Sequence, residues 1–312
     1  MNTIDVLIPA YNAEKFIDKC LQSLLNQTYN NLRIVIVDDG SVDDTWKIIN
    51  KYAKKYDNIE VYQKENTKSI SDTRNFLLTK IKSDLFTFLD IDDYVEKEYI
   101  ETLYNLLTNY GADVSMCARI RHSEKKEVNV KKLKNNEKIY ILDRKNALAE
   151  MLSSNLFYGT VTCKLFKTKF LNNIKFDKNI HYGEDLDFCF KFMNNCNKFA
   201  YTNRKLYHYI IQKNSIVTSK FNTKKLTLID CYNNIIKVVK DDEELYKCAR
   251  AMQGLITIEL LYYVVRDKYK DKILKKRLKK IIRESMKFIK QNKRLSLIHK
   301  LSPIICPITQ IL

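Results

Sequence analysis

The first hundred residues alternate short apolar segments with amphipathic stretches, and this alternation restricts the fold more than any other feature of the chain. Four segments have the length and composition of buried strands: residues 4–8, 32–37, 59–62 and 85–89. Apolar residues at helical spacing follow each of the first three, and Asn12 is a candidate N-cap for the first helix. Strands that are apolar throughout and alternate with helices form parallel sheets covered on both faces. The sequence therefore predicts an α/β fold with a mostly parallel sheet.

Polar clusters follow three of these predicted strands, at residues 9–12, 38–41 and 90–93. In parallel sheets, ligands bind beyond the carboxyl ends of the strands, so the clusters are expected to converge on one edge. The first strand is followed by no G-x-G-x-x-G, and no G-x-x-x-x-G-K-[ST] occurs. A dinucleotide site of the Rossmann type and a P-loop are therefore not supported.

The cluster at the end of the fourth strand holds Asp90, Asp92 and Asp93. Carboxylates this close repel one another unless a cation lies between them, and Asp90 and Asp92 point the same way if the strand continues. Mg²⁺ or Mn²⁺ binds one or two protein carboxylates and completes its shell with water and phosphate oxygens. The pattern thus favours a metal with a phosphorylated ligand. The alternative is a solvated acidic turn that caps a helix starting near Glu96.

The chain has 312 residues and a net charge of +18, which favours anionic partners. From about residue 222 the pattern is almost wholly helical, with helices predicted at 225–239, 243–269 and 272–291. The last of these is apolar on one face and rich in lysine and arginine on the other. Such a helix is typical of binding to an anionic membrane surface, although a solvated basic face above an ordinary core contact has the same pattern. The apolar tail, residues 301–312, is too short and too interrupted by proline to span a bilayer.

Eight cysteines are scattered without a C-x-x-C pair, and most lie in apolar runs. This distribution indicates reduced, buried thiols in a cytosolic protein rather than disulfides or a zinc site. The N-terminus enters a strand pattern at once, so no secretory signal is expected. Together with the basic helix, this predicts a cytoplasmic protein that lies peripherally on the inner face of the cell membrane.

Five motifs in order carry a family resemblance: IPAYNAEKFIDKCLQSLLNQTY, IVDDGSVDDT, SISDTRN, FLDIDDY and HYGEDLDF. Over residues 3–217 the chain resembles the inverting glycosyltransferases of family 2, in particular their capsular and exopolysaccharide branch. The resemblance implies a GT-A fold with a nucleotide-sugar-binding half at 1–110 and an acceptor-binding, catalytic-base half at 111–221. Residues 222–312 would then be a basic, helical C-terminal extension.

The resemblance also implies a role for individual residues. The implied nucleotide-binding residues are Pro9, Ala10, Tyr11, Asn12, Asp38, Asp39, Arg74 and Asp90. Among these, Asp39 would accept a hydrogen bond from the uracil imide, which favours uridine over cytidine or adenine. The implied ligands of Mn²⁺ or Mg²⁺ are Asp92, Asp90 and His208. Asp185 would be the catalytic base, with Glu184 beside it.

These roles describe a single displacement at the anomeric carbon. A carboxylate takes the proton of the attacking hydroxyl, and the UDP leaving group departs with its charge neutralised by the metal. The expected partners are a UDP-sugar donor, a lipid-linked or growing surface glycan as acceptor, and an anionic membrane, with no nucleic acid.

The chain departs from the family pattern at three places. Ser69 stands where the family has a glycine before S-x-x-R-N, and the acceptor-lining motif W-N-K-L-Y is here T-C-K-L-F. The arginine expected after Tyr209 is replaced by Ile210, for which Gln212 or Lys213 could substitute. The change in the acceptor-lining motif leaves the acceptor open, whereas the other two departures concern the loop over the donor and the diphosphate.

Two other classes fit parts of the pattern. A haloacid-dehalogenase-like phosphatase has its aspartate pair after the first strand, followed by G-[TV], whereas here the pair follows the fourth strand and precedes Tyr94 and Val95. A non-enzymatic nucleic-acid- or membrane-binding protein on the same scaffold fits the charge, but the aromatic residues are not interleaved with the basic ones as in a nucleic-acid platform.

Overall fold

The computed structural model describes residues 2–123, 136–211 and 220–295. Its strands are β1 (Ile4–Ala10), β2 (Leu32–Asp38), β3 (Ile59–Gln63), β4 (Leu85–Phe88), β5 (Tyr94–Val95), β6 (Val114–Ser123), β7 (Ile139–Asp143), β8 (Lys164–Lys167) and β9 (Lys198–Ile211). Its α-helices are α1 (Ile17–Leu25), α2 (Thr45–Lys55), α3 (Ile70–Leu78), α4 (Tyr99–Asn109), α5 (Arg144–Leu152), α6 (Glu184–Asn194), α7 (Thr227–Val238), α8 (Glu243–Arg266) and α9 (Lys272–Gln291). The predicted alternation of strands and helices is confirmed.

The described strands form one sheet in the order β3-β2-β1-β4-β8-β6-β9-β5, with β7 paired to β9. The pairs among β1, β2, β3 and β4 are parallel, as predicted, and bring the carboxyl ends of β1, β2 and β4 to the same edge. Beyond β4 the sheet becomes mixed, because β8 runs antiparallel to both β4 and β6. The sequence analysis missed β5, β7 and β8, which are only two, five and four residues long.

The described residues divide into two compact units. The first unit comprises 2–123, 136–144, 160–178 and 191–211, and the second comprises 145–159, 179–190 and 220–295. The expected halves, 1–110 and 111–221, both contribute strands to one sheet, since β6 and β9 continue the sheet that begins with β1 to β4. The second unit includes α5 from Lys145 onward and the start of α6 in addition to the residues after 220, and the expected boundaries at 110 and 222 stay predictions.

At the amino-terminal edge of the sheet, the first unit contains a buried ion pair. The carboxylate of Asp5, with no exposed surface, accepts hydrogen bonds from Arg33 Nε at 2.9 Å and Nη2 at 2.7 Å. It also accepts from the Ser83 hydroxyl at 2.6 Å and from the Lys82 N–H at 2.7 Å. A carboxylate that accepts this many hydrogen bonds can remain ionised inside a protein.

The second unit is built around the packing of α8 on α9. Leu274 and Leu278 of α9 share a buried apolar cluster with Leu260 and Val264 of α8. At Gly254, an added Cβ would lie 2.5 Å from the Cβ of Ser285, so the two helices are in close contact. The apolar face of α9 is therefore covered within the unit, as in the alternative of a basic face above a core contact, and binding of α9 to an anionic membrane surface stays a prediction. Periodicity identified a buried face but not its partner.

Among the described residues, α8 is the one helix with the length and composition of a membrane span, at a mean hydropathy of 1.2. Because 61% of that window is buried inside the protein, it equally fits a core helix and is weak evidence for a span.

The seven cysteines in the described residues are buried and form no disulfide, as expected from their apolar surroundings. Cys306, the apolar tail and the possible arginine substitutes Gln212 and Lys213 lie outside the described residues.

Candidate functional site

Asp38, the last residue of β2, has no exposed surface. Its carboxylate accepts from the Ser41 N–H at 3.2 Å, from the Ser41 hydroxyl, and from Gln63 Nε2 at 2.9 Å. The sequence analysis placed Asp38 among the nucleotide-binding residues. The structure instead uses its side chain to fix the turn after β2 to the end of β3.

Asp39 follows at the edge itself. Its N–H donates to the carbonyl of Ala10 at 2.8 Å, which links the ends of β2 and β1. Its carboxylate Oδ1 forms an ion pair with the ammonium group of Lys64, in the segment after β3. The edge therefore presents the carboxylate of Asp39 as a hydrogen-bond acceptor, and Lys64 holds that carboxylate through one of its oxygens.

The loop after β1 lies against the same turn. The N–H of Asn12 donates to the Ser41 hydroxyl at 2.9 Å, and Asn12 Oδ1 accepts from the Val42 N–H at 3.0 Å. Asn12 is therefore not the N-cap of α1, which begins at Ile17. Before it, Tyr11 is 50% exposed, so its ring is available to a ligand at this edge.

The acidic cluster after β4 is a turn rather than a continued strand, since β4 ends at Phe88 and the Asp93 N–H donates to the Asp90 carbonyl at 3.1 Å. Asp93 turns inward: it is 2% exposed and accepts from the Tyr207 hydroxyl at 2.7 Å and the Ile210 N–H at 2.8 Å. It thus anchors the turn to β9. Asp90 and Asp92 remain the candidates for ligand contact.

Asp92 carries the electrostatic signature of a cation site. Burial, and then the neighbouring carboxylate of Asp90, raise the pKa of Asp92 to about 6. A carboxyl group whose pKa is raised in this way is stabilised in its ionised form by a nearby cation, and oxygen ligands of this kind suit Mg²⁺ or Mn²⁺. No group of three or more His, Cys, Asp or Glu side chains in the described ranges could hold a metal alone. The two carboxylates are oxygen ligands of the kind that a divalent ion takes, and such an ion would need its remaining ligands from solvent or a bound molecule.

His208 does not join this pair. Its Nε2 lies 2.8 Å from Glu96 Oε1, its Nδ1 lies 3.0 Å from His122 Nε2, and its ring stacks on Tyr94 at 4.1 Å. Since both ring nitrogens are engaged and the side chain is 1% exposed, the structure argues against the expected role of His208 as a metal ligand. Burial lowers its pKa, which favours the neutral ring in this cluster.

Arg74 reaches the acidic turn from α3. The helix begins after Ser69, whose hydroxyl accepts from the Asp72 N–H, so the residue that replaces the family's glycine acts as an N-cap. The Arg74 side chain is buried, and its Nη2 donates to Asp90 Oδ1 at 3.1 Å. Arg74 therefore orients Asp90, and an Arg74 side chain that also contacted a ligand would do so while paired with Asp90.

Glu184 and Asp185 lie in the second unit, in the first turn of α6 as predicted. The turn before them is fixed to α7, because the N–H groups of His181 and Tyr182 donate to the Thr227 hydroxyl at 3.1 and 3.0 Å. Gly183 has φ +92°, and a Cβ there would meet Leu228 at 2.6 Å. The half-buried acidic pair is thus held on a rigid turn, where it also suits the helix dipole.

The sequence profile described as Glycosyl transferase family 2 matches residues 5–175, which is more than half of the 312 residues. The chain belongs to glycosyl transferase family 2. It is 32% identical to glycosyltransferase GlyA of Streptococcus pneumoniae, an alignment that covers 68% of this chain and 31% of GlyA. It is 26% identical to TarS of Staphylococcus aureus, a poly(ribitol-phosphate) beta-N-acetylglucosaminyltransferase, over 88% of this chain and 43% of TarS. The chain thus spans less than half the length of these two relatives.

Solved structures share the fold. TarS 1–349 of S. aureus in complex with UDP-GlcNAc superposes with a TM-score of 0.66 and 21% identity, covering 92% of this chain and 81% of that one. The mannosyltransferase PcManGT of Pyrobaculum calidifontis, in complex with GDP-Man and Mn²⁺, gives a TM-score of 0.59 at 11% identity, covering 97% and 86%. The expected GT-A fold is confirmed.

Sequence reasoning missed the residues that hold the site together: Ser41, Gln63 and Lys64 around Asp38 and Asp39, and Tyr207 on Asp93. Ser41 lies within the motif IVDDGSVDDT, whereas none of the five motifs includes Gln63 or Lys64. The only signal for them in the sequence is that Gln63 and Lys64 follow the third predicted strand, at the edge where the other polar clusters converge.

Proposed function

We propose that this protein is an inverting glycosyltransferase that transfers a sugar from a UDP-sugar to a hydroxyl group of a surface glycan. One observation carries the proposal. Asp39 follows β2, and Asp90 and Asp92 follow β4. These two strands flank β1 and run parallel to it, so all three residues lie at one edge of the sheet. A nucleobase acceptor and a metal-compatible pair on such an edge are what a nucleoside diphosphate requires.

The choice of UDP rests on Asp39. A carboxylate accepts a hydrogen bond from the N3–H of uracil, whereas the N3 of cytosine has no hydrogen to donate. The TarS structure holds UDP-GlcNAc and the PcManGT structure holds GDP-Man. Because guanine also has a ring N–H, GDP is the most informative competitor in a binding test.

In the proposed reaction, Asp185 accepts the proton of the attacking hydroxyl while the new bond forms at the anomeric carbon and UDP departs. Asp92 and Asp90 would hold Mn²⁺ or Mg²⁺, and a bound ion supplies charge neutralisation for the leaving diphosphate. Arg74 keeps the Asp90 carboxylate in place through their 3.1 Å contact.

The acceptor is proposed to be an anionic or lipid-linked surface glycan. The support is the function of relatives, which include the poly(ribitol-phosphate) beta-N-acetylglucosaminyltransferase TarS. The basic face of α9 supports an accompanying membrane association at the inner surface of the cell membrane. With the apolar face of α9 packed on α8, that association would be electrostatic and would weaken with salt.

Transfer is tested by measuring UDP release from a panel of UDP-sugars with poly(ribitol phosphate) and lipid-linked saccharides as acceptors. Asp185→Asn should lower the rate about a hundredfold or more while UDP binding persists, since general-base catalysis contributes about that much. Asp230→Asn, which removes an exposed carboxylate on α7, is the matched control and should leave the rate unchanged. Full activity in Asp185→Asn would refute its role as the base.

Membrane association is tested by co-sedimentation with vesicles containing phosphatidylglycerol. The double variant Lys279→Gln/Lys280→Gln, on α9, should reduce binding at low salt. The control Lys54→Gln/Lys55→Gln removes the same charge from α2 in the first unit. Equal losses in both variants would show a general charge effect and contradict a role for α9.

A further inference from the structure

The segment that follows β3 is fastened to the turn that carries Asp39. Gln63 Nε2 donates to Asp38 at 2.9 Å, and the Lys64 N–H donates to the Asp38 carbonyl at 3.0 Å. Gly40, at φ +68°, lies so close that an added Cβ would be 2.9 Å from the backbone nitrogen of Asn66. The two loops are therefore in direct backbone contact, and their relative position is fixed.

Within this contact, the ammonium group of Lys64 has three hydrogen-bond acceptors. It pairs with Asp39 Oδ1 and donates to the Glu65 carbonyl at 3.1 Å and the Thr67 hydroxyl at 3.2 Å. An ammonium group has three donors, so all of them are used. The side chains of Lys64 and Asp39 are only 15% and 10% exposed, which places this ion pair away from bulk water.

The ion pair between Lys64 and Asp39 uses only one of the two carboxylate oxygens. Lys64 engages Oδ1 of Asp39, and no side-chain hydrogen bond within the described ranges involves Oδ2. A carboxylate fixed through one oxygen offers the lone pairs of the other in a defined direction. That second oxygen can accept one hydrogen bond from a ligand without disturbing the ion pair.

We propose that Lys64 is a specificity-determining positioning residue, which holds the Asp39 carboxylate so that its free oxygen selects a nucleobase with a ring N–H. This inference rests on the proposed function and adds a residue to it. With Lys64 in place, uracil donates to Oδ2, while cytosine would bring the lone pair of its N3 against a carboxylate that cannot turn away. Without Lys64, the carboxylate can rotate, and both the attraction and the repulsion weaken.

A different role, in which Lys64 contacts the diphosphate directly, fits the geometry less well. Each N–H of the ammonium group already has a protein partner, so a phosphate contact would require the Asp39 pair to break. Burying Asp39 without its partner would be unfavourable. The observed contacts favour an anchor over a mobile phosphate ligand.

The test is calorimetric titration of UDP and CDP, each with Mn²⁺, into the wild type and Lys64→Met. The ratio of the two affinities isolates the base, because both ligands carry the same diphosphate and feel the same loss of charge. Lys64→Met should reduce the UDP preference by about tenfold, the value of one hydrogen bond to a charged group. Lys68→Met removes an exposed lysine from the same loop and should leave the ratio unchanged.

The wild type and the variants together distinguish an error in the proposed donor from an error in the role of Lys64. A wild type without a preference for UDP over CDP would overturn the proposed donor, and this inference with it. A wild type that prefers UDP, with Lys64→Met retaining the full preference, would overturn the role of Lys64 alone. Thr67→Val, which removes one acceptor of the ammonium group, keeps the test decisive if Lys64→Met does not fold. It should lower the preference in the same direction, and an unchanged ratio would count against the anchor.

Discussion

Replacing Gly40 by alanine tests whether the contact between the two loops at the proposed base site is as tight as the structure shows. Gly40 adopts φ +68°, where an L-residue costs about 1–2 kcal/mol. The new Cβ would also lie 2.9 Å from the Asn66 nitrogen and 3.2 Å from the Lys64 carbonyl oxygen. Because both are backbone atoms, one loop must move, and overpacking of this kind costs about 1–3 kcal/mol more.

Gly111 provides a matched control. It follows α4 at φ +60°, and an added Cβ would meet nothing within 4 Å. Gly111→Ala therefore carries the backbone strain without the collision. The difference between the two variants isolates the collision, which should make Gly40→Ala less stable than Gly111→Ala by about 1–3 kcal/mol.

Urea denaturation followed by tryptophan fluorescence measures this difference. The chain has one tryptophan, Trp46, which lies in α2 and packs on the core of the first unit, so its signal reports the unit that contains Gly40. Gly40→Ala should also weaken UDP binding, since it displaces the loop that bears Lys64. Equal destabilisation by the two variants, with unchanged UDP affinity, would refute the close contact.

Two further predictions concern stability. Burial alone would raise the pKa of Asp5, but hydrogen bonds from Arg33 and Ser83 outweigh it and lower the pKa, so the ionised form stabilises the fold. That stabilisation should be complete above about pH 4 and be lost as the pH falls further. The difference in unfolding free energy between the wild type and Asp5→Asn, measured by fluorescence, should therefore shrink in acid. A difference that grows in acid would contradict this prediction. In the second unit, Arg294 pairs with the buried Glu150, and Arg294→Met should destabilise by about 3 kcal/mol in urea denaturation followed by circular dichroism. The substitution leaves the Glu150 carboxylate without its charged partner, although Asn155 still donates a hydrogen bond to it. The exposed neighbour variant Lys293→Met should have little effect, and equal losses would contradict the role of the pair.

The sequence predicted the edge of the sheet but not how its side chains are held. An apolar run followed by polar residues marks where a strand ends, so the pattern alone places residues 9–12, 38–41 and 90–93 on one edge. The turn at Asp90 to Asp93 depends on Tyr207 and Ile210, which are more than a hundred residues away in the chain. Local patterns carry no information about such partners, and the sequence therefore left open whether a continued strand or a turn follows the strand predicted at 85–89.

The same limit applies to α9 and to Lys64. Periodicity correctly gave α9 from Lys272 to Gln291 with one apolar face, but only the structure shows that α8 covers it. Lys64 lies 25 residues from Asp39 and belongs to no motif that the resemblance supplied. In both cases the missing information was the tertiary partner, which the spacing of residues within one segment does not encode.

We propose that the edge formed by β1, β2 and β4 binds a uridine diphosphate with a divalent metal. The most direct test of this proposal is thermal unfolding, followed by Trp46 fluorescence, with UDP, GDP, CDP or ADP, each with and without Mn²⁺. The wild type, Asp92→Asn and Asp84→Asn are compared, since Asp84 is exposed at the opposite end of β4.

A ligand at a hundredfold excess over its Kd stabilises the native state by about 2.7 kcal/mol, which shifts the transition measurably. UDP with Mn²⁺ should give the largest shift, Asp92→Asn should lose it and Asp84→Asn should keep it. A larger shift with GDP, or an equal shift in Asp92→Asn, would contradict the claim.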